Sequence, residues 1–338
     1  MRARLRDIAV RAGVSEATVS RVLNAKPGVA SDTRLAVLTA LDVLGYERPA
    51  SLRASSAGLV GLVVPELENP IFPAYVQTIE TVLIQHGFTP VLCTQTPGGV
   101  SEDEYVEMLL DRGVSGIVFV SGLHADSTSN PQRYRTLLAQ GLPIVLVNGF
   151  SPEVAAPFFS LDDVASMGLA VDHLASLGHR RIGLAAGPVR FVPVLRKVEG
   201  FLRALAAVTE RPVLPEEVVE HTFFSVEGGV GAASTLLDRG CTAIICASDM
   251  MALGAVRAAR AGGLAVPGDI SVVGFDDSPL IAYTDPPLTT VRQPVQAIGR
   301  AAAQALVEEI TGNPAPRREF LFRPELIVRA STGTARPR

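Results

Sequence analysis

The side chains with the clearest chemical purpose in this chain stand close together near its start, in the run LRDIAVRAGVSEATVSRVLN over residues 5–24. Glu16, Ala17, Ser20, Arg21 and Asn24 share one helical face, because residues three and four apart are neighbours on a helix. That face offers an acid, a methyl group, a hydroxyl, a guanidinium and a carboxamide. A short helix presenting such groups after a tight turn reads as the second helix of a helix-turn-helix, the element that lies in the DNA major groove. A second kind of chemistry is raised by the adjacent carboxylates Asp276 and Asp277 and by the histidines, since paired carboxylates do acid–base work. Against it, the chain has no G-x-S-x-G, no phosphate-binding P-loop and no histidine-centred triad spacing. The run GGVGAAS at 228–234 does not follow the strand–turn pattern of a dinucleotide fingerprint. His173 and His179 lie around an expected helix end, where solvated or capping roles suffice.

The elements that must hold the first group are legible. Leu5, Ile8, Ala9 and Ala12 form one apolar stripe at helical spacing. Gly13 suits the stop, and Ser15 offers an N-cap hydroxyl to the next helix. In that helix Val19, Val22 and Leu23 face inward. A third helix is expected from Ser31 or Asp32, with Val37, Leu38, Leu41 and Leu44 inside and Gly45 as its stop. These make a headpiece over 1–46, and 47–58 reads as a hinge or linker. From Leu59 short apolar runs alternate with helical patterns: GLVGLVVP, TPVLCTQ, SGIVFVSG, LPIVLVN, RIGLAAG, TAIICAS and ISVVGF. Unbroken apolar strands separated by helices signal parallel sheets covered on both faces. Ser101 with Glu104 three residues later marks one of those helices by a capping box. The number of βα units calls for two doubly wound lobes, with ligands expected at the carboxyl ends of the strands.

Charge agrees with this division. Residues 1–60 carry nine Lys/Arg against five Asp/Glu, a net +4, while the remainder carries 21 against 29, a net −8. A basic head on an acidic body confines phosphate attraction to one end. Cys93, Cys241 and Cys246 are an odd number in apolar strand-like runs and read as buried free thiols. No metal-ligand spacing, cofactor signature, leader segment or membrane-length apolar run is visible, so the expectation is a soluble cytoplasmic protein without metal or cofactor.

The run D-I-A-x-x-A-G-V-S-x-x-T-V-S-R-V-L-N resembles the DNA-binding head of the lactose-repressor (LacI/GalR) family almost letter for letter. The body is similar as well, in GLVVPELENPIF, VSGIVF, HLASLGHRRIGLAAGP, ASDMMALGA, ISVVGFDD and PPLTTVRQP. Within the family, GYERPASLR, PELENPIFPA and VLCTQTPGGVSEDEY most resemble actinobacterial regulators of maltose and related α-glucosides. The resemblance implies an α/β core like that of periplasmic sugar-binding proteins, spanning 59–338. It implies one lobe of about 59–160 and 292–322 and another of about 161–291 and 323–338, with crossings near Phe159, Val291–Pro294 and Phe320–Pro324.

The resemblance also implies site residues. Glu16, Ala17 and Arg21 take the base-reading positions, and Thr18, Ser20 and Asn24 the phosphate-contacting ones. Arginine binds guanine bidentately, glutamate accepts from cytosine, and a methyl group touches thymine. Glu16 also suits a first-turn acid stabilising the helix N-terminus. Relatives carry a hinge of the form P-N-x-x-A-R-S-L. Here Tyr46 to Gly61 is about three residues shorter, and Leu52 best matches the leucine that wedges into the minor groove. The effector positions fall on Ile71, Phe72 and Asn148 in the first lobe. In the second they fall on Phe191, Lys197, Phe224, Ser248, Asp249 and Asp276. Phe72 and Phe224 are expected to stack on a sugar, and Asn148 and an ionised Asp276 to accept its hydroxyls. Asp249 also suits an N-cap before MMALGAVRAA. Lys197 replaces the arginine usual in relatives, a point charge in place of a fork, with Arg196 adjacent.

The function expected is a DNA-binding transcriptional repressor with no catalytic residues. It would act as a homodimer on a near-palindromic double-stranded operator, controlled by a small molecule, a sugar by resemblance, and without a membrane partner. The rival readings are a sugar-binding receptor without a DNA role and an α/β enzyme of sugar metabolism.

Overall fold

The computed structural model describes residues 5–24, 26, 28–44, 57–95, 98–209 and 213–336. The chain divides into two compact units, Met1–Gly58 and Leu59–Arg338. In the first, helices α1 (Leu5–Ala12), α2 (Glu16–Leu23) and α3 (Ser31–Val43) surround a small core. Its buried members are Ile8, Ala9, Val19, Val22, Leu23, Val37, Ala40 and Leu41, with Leu38 and Leu44 packed at the edge. Gly13 ends the first turn region at φ 67°, where an L side chain would be strained. The Ser15 hydroxyl accepts from the Thr18 amide and starts α2. Leu52, Gly45 and the linker from 47 to 56 lie outside the described residues.

The second unit contains two six-stranded sheets. Its strands are β1 (Gly58–Val64), β2 (Phe88–Thr94), β3 (Gly116–Val120), β4 (Ile144–Val147), β5 (Phe158–Leu161), β6 (Ile182–Ala186), β7 (Val219–His221), β8 (Ala243–Cys246), β9 (Ser271–Asp276), β10 (Thr289–Arg292), β11 (Glu319–Phe322) and β12 (Glu325–Ile327). The helices are α4 (Ile71–Gln85), α5 (Glu102–Asp111), α6 (Gln132–Ala139), α7 (Asp163–Ser176), α8 (Val192–Val208), α9 (Pro215–Val218), α10 (Val226–Asp238), α11 (Asp249–Ala261) and α12 (Val295–Ile310). The first sheet runs β11-β5-β4-β3-β1-β2 and the second β12-β10-β9-β8-β6-β7. The chain passes between the sheets after β5, after β10 and after β11.

The strands named from sequence are strands here. Their central residues vanish from solvent on both faces: β3 and β4 are buried along their whole length. Each fully buried Val, Leu or Ile contributes about 1.5–3 kcal/mol by leaving water, so these continuous apolar runs dominate the stability of both sheets. Strands at the sheet edges depart from the all-parallel, two-face-buried expectation, β2 and β12 among them. β2 is an edge strand with Thr89 and Leu92 exposed. β12 runs antiparallel to β10, pairing Thr290 with Ile327. GGVGAAS lies within α10, packed against α11, and has no phosphate-binding loop geometry. Cys93, Cys241 and Cys246 are buried and form no disulfide.

The histidines correct the sequence reading. His179 is buried, and its ring nitrogens meet Thr242 Oγ1 at 2.9 Å, Ser271 Oγ at 2.9 Å and the Gly333 carbonyl at 3.0 Å. His173 Nε2 meets Thr332 Oγ1 at 2.9 Å. Together they fasten the C-terminal segment to the second lobe, which a solvated role would not do.

Candidate functional site

On α2, Glu16, Ala17, Arg21 and Asn24 are exposed and Thr18 and Ser20 half-buried, so all six lie on or beside the face opposite Val19, Val22 and Leu23. Two are tied locally. Thr18 Oγ1 lies 2.9 Å from Ser15 Oγ, and Asn24 Nδ2 donates to the Ser20 carbonyl at 2.8 Å. Arg21 folds toward the following loop, for a Cβ added at Gly28 would stand 3.3 Å from its Nη2.

In the second unit the strand ends enclose a cavity of about 980 Å³. Ile71, Phe72 and Asn148 line it from the first lobe, and Phe191, Lys197, Phe224, Ser248 and Asp276 from the second. That volume sits at the upper end for small-molecule sites. Its apolar walls are aromatic. The Phe224 ring lies against Gly187, where any Cβ would overlap the ring, so the glycine makes room for that wall. Phe223 beside it is 74% exposed at the mouth.

The polar floor is held under backbone strain. Ser121, Asn148 and Asp276 adopt φ of 47°, 60° and 113° at the ends of β3, β4 and β9. Non-glycine residues take such angles only where the surroundings over-determine them, and they cluster at functional sites. Asn148 Nδ2 donates to Ser121 Oγ at 3.1 Å, and Gln293 Nε2 donates to Asp276 Oδ1 at 2.6 Å. Asp276 is 5% exposed. Burial first, and the nearby Asp249 carboxylate second, push its carboxyl well above the usual range. The shift favours the protonated carboxyl, which can donate as well as accept, over the ionised acceptor expected from sequence.

Three further expectations change. Asp249 does not line the cavity. Its carboxylate accepts from the Ser278 amide at 2.7 Å and from Thr290 Oγ1 at 2.8 Å, and burial raises it to about 6. Nor is it the N-cap of α11; Ser248 is, accepting from the Met251 amide. Lys197 borders the cavity, but its Nζ lies 2.5 Å from Asp163 Oδ1 and 4.1 Å above the Phe275 ring, committed to a buried ion pair. Arg196 is also engaged, bidentate to Glu319 at 2.6 and 3.0 Å across the lobes. The adjacent acids do not converge on one point either: Asp276 faces the cavity, while Asp277 binds Arg292 at 2.7 Å and Arg329 at 2.6 Å.

Sequence reasoning missed Gln293, Ser121, Gln95, Asn69 and Arg190, all of which line the cavity. A rule was available for some. Ser121 and Gln95 sit just past β3 and β2, and Gln293 just past β10, the carboxyl ends where ligands of open α/β sheets bind. It also missed a contact across the mouth. Arg190 Nε meets Asp126 Oδ2 at 2.9 Å, and Ser127 donates its amide and its hydroxyl to the Arg190 carbonyl at 2.8 and 2.7 Å.

Comparison with known proteins settles the family. Residues 4–49 match the model for bacterial regulatory proteins of the lacI family, and 171–332 match that for a periplasmic binding protein-like domain. The chain is 65% identical to the HTH-type transcriptional regulator reg1 of Streptomyces lividans over 338 residues, covering 99% of this chain and 98% of that protein. It is equally similar, 65% over 341 residues with the same coverage, to the HTH-type transcriptional regulator MalR of Streptomyces coelicolor. The chain belongs to the LacI family. Solved structures agree. The transcriptional regulator CelR in complex with cellobiose superimposes with a TM-score of 0.72 at 33% identity, over 98% of this chain and 100% of that one. The lac repressor dimer bound to operator and the anti-inducer ONPF gives 0.70 at 28%, with the same coverage. This LacI-family chain is a helix-turn-helix transcriptional regulator with a binding-protein-like core, as its sequence motifs imply. Among the described residues no helix is long and apolar enough to cross a membrane, and no His/Cys/Asp/Glu group could hold a metal ion.

Proposed function

We propose that this regulator represses transcription as a cytoplasmic homodimer on a near-palindromic operator and responds to an oligosaccharide bound between its two lobes. The cavity carries the reading: aromatic walls beside a strained polar floor at the strand ends suit a polyhydroxylated ring with two apolar faces. The names of its relatives, a MalR and a CelR bound to cellobiose, support a glucoside as ligand. Glu16, Ala17 and Arg21 read bases; Thr18, Ser20 and Asn24 contact phosphates; and Leu52 wedges the minor groove. Sugar and operator then communicate as a coupling free energy between two sites, and no bond need be broken. The divergence of Asp276 and Asp277 supports a binding site over a carboxylate-pair enzyme.

Calorimetry with maltose and with cellobiose tests the ligand, and chromatography of the recovered sugar tests for turnover. Binding with intact recovery is expected. A hydrolysed or isomerised sugar would establish an enzyme instead, and binding of neither disaccharide would remove the glucoside. On the DNA side, Arg21→Ala should cost about 1–3 kcal/mol on the specific site and less on random DNA. Equal losses on both would reduce Arg21 to a phosphate contact.

A further inference from the structure

We propose that Tyr75, which does not line the cavity, is a positioning residue that fixes how the cavity floor offers its hydrogen-bond donors and acceptors. The inference rests on the sugar-binding reading of the cavity. Tyr75 lies on α4 and is fully buried. Its ring belongs to the apolar core with Val60, Leu62, Ile79 and Phe159. A phenylalanine would fill that space as well, and a hydroxyl there costs free energy unless it is bonded. The hydroxyl points to the floor. It donates to Gln293 Oε1 at 3.2 Å.

That partner is a polar group of the floor that could otherwise turn. A carboxamide can present oxygen or nitrogen in either direction at almost no steric cost. With Oε1 taken by Tyr75, Gln293 must direct Nε2 to Asp276, and that is the bond at 2.6 Å. Asn148 directs Nδ2 to Ser121. One phenol on α4 of the first lobe therefore reaches Gln293 in the passage between lobes, and through it Asp276 of the second. Removing it leaves Gln293 Oε1 without its donor. The amide is then free to flip, and Asp276 loses a defined partner. The ligand would meet a floor whose donor and acceptor pattern varies, and binding would have to select one arrangement from several.

The test is Tyr75→Phe in the full chain, titrated calorimetrically with maltose and with cellobiose, using whichever binds the wild type. Far-UV circular dichroism and thermal unfolding accompany it. The variant should fold as wild type and lose about tenfold in sugar affinity, the scale of one buried hydrogen bond. A packing role alone would not couple to Gln293, so the deciding readout is a double-mutant cycle. Gln293→Ala should itself weaken binding, and adding Tyr75→Phe to it should cost less than twofold more. Additive losses would overturn the proposal, as would an unchanged affinity in Tyr75→Phe. Should neither sugar bind the wild type, the glucoside reading fails and this inference falls with it. Binding by the wild type with no effect of the hydroxyl would overturn the positioning role alone.

Discussion

At Asp276 burial outweighs charge, and the consequence is a specific pH dependence. A carboxyl whose pKa is raised in the folded state favours folding below its unfolded value, and that contribution is lost as pH rises through the folded value. Wild-type protein without ligand therefore carries a penalty at pH 8 that is absent near pH 4. Asp276→Asn has no proton to lose. It should melt higher than wild type at pH 8, with the difference shrinking to nothing by pH 4; a difference independent of pH would refute the raised carboxyl. The same substitution keeps the shape and one acceptor oxygen, so it should weaken sugar binding by about threefold to tenfold, the scale of one hydrogen bond. Lys197 illustrates the opposite balance. Its ammonium is the buried counter-charge of Asp163, whose carboxyl burial raises and Lys197 lowers. Lys197→Met leaves that acid uncompensated and should destabilise the fold by about 3–5 kcal/mol in urea unfolding. Adding Asp163→Asn should restore most of the loss. A single variant as stable as wild type would show that the pair holds nothing together.

Elements with an unbroken apolar run were legible from sequence; short mixed ones were not. Six of the seven apolar runs became interior strands because two-sided burial suits Val, Ile and Leu in succession, while TPVLCTQ became the edge strand β2. Three- and four-residue strands such as β11 and β12 offer too few residues for any periodicity, and mixed segments like EFLF and ELI reveal themselves only through their pairing partners. The same limit hid the floor of the cavity. Strand ends pointed to Asn148 and Asp276, yet no local signal says that Tyr75, on a helix, reaches the Gln293 that bonds Asp276. Capping, by contrast, is written locally. Ser101 Oγ accepts from the Glu104 amide, and Glu104 Oε2 accepts from the Ser101 amide at 2.8 Å. That box sets α5 beside a buried carboxylate. Glu102 accepts from Tyr134 Oη at 2.5 Å, the Leu123 amide at 2.9 Å and Gln95 Nε2 at 3.1 Å, tying a cavity-lining residue to the turn before Asp126. Glu102→Ala strands three donors and should cost several kcal/mol, about 1–3 for each left buried and unpaired. Ser101→Ala should cost only about 1 kcal/mol. Equal losses in chemical denaturation would contradict this ranking.

For the whole molecule, the contact between Arg190 and the Asp126–Ser127 turn places a brace across the cavity mouth. The charge pair is partly exposed and worth at most about 1 kcal/mol, so Arg190→Ala should quicken sugar release by no more than about fivefold in stopped-flow measurements. A hundredfold change would mean that the brace, and not the floor, retains the ligand. The central claim is that sugar and operator are read by one chain and feel each other. The direct measurement is operator affinity of the wild-type protein, by fluorescence anisotropy at fixed salt, without sugar and with the bound disaccharide at saturation. Linkage requires that the factor by which sugar changes operator affinity equal the factor by which operator changes sugar affinity. The account predicts a change of at least about fivefold, with the same factor found in both titrations. Tight binding of each partner with neither affinity altered by the other would contradict it.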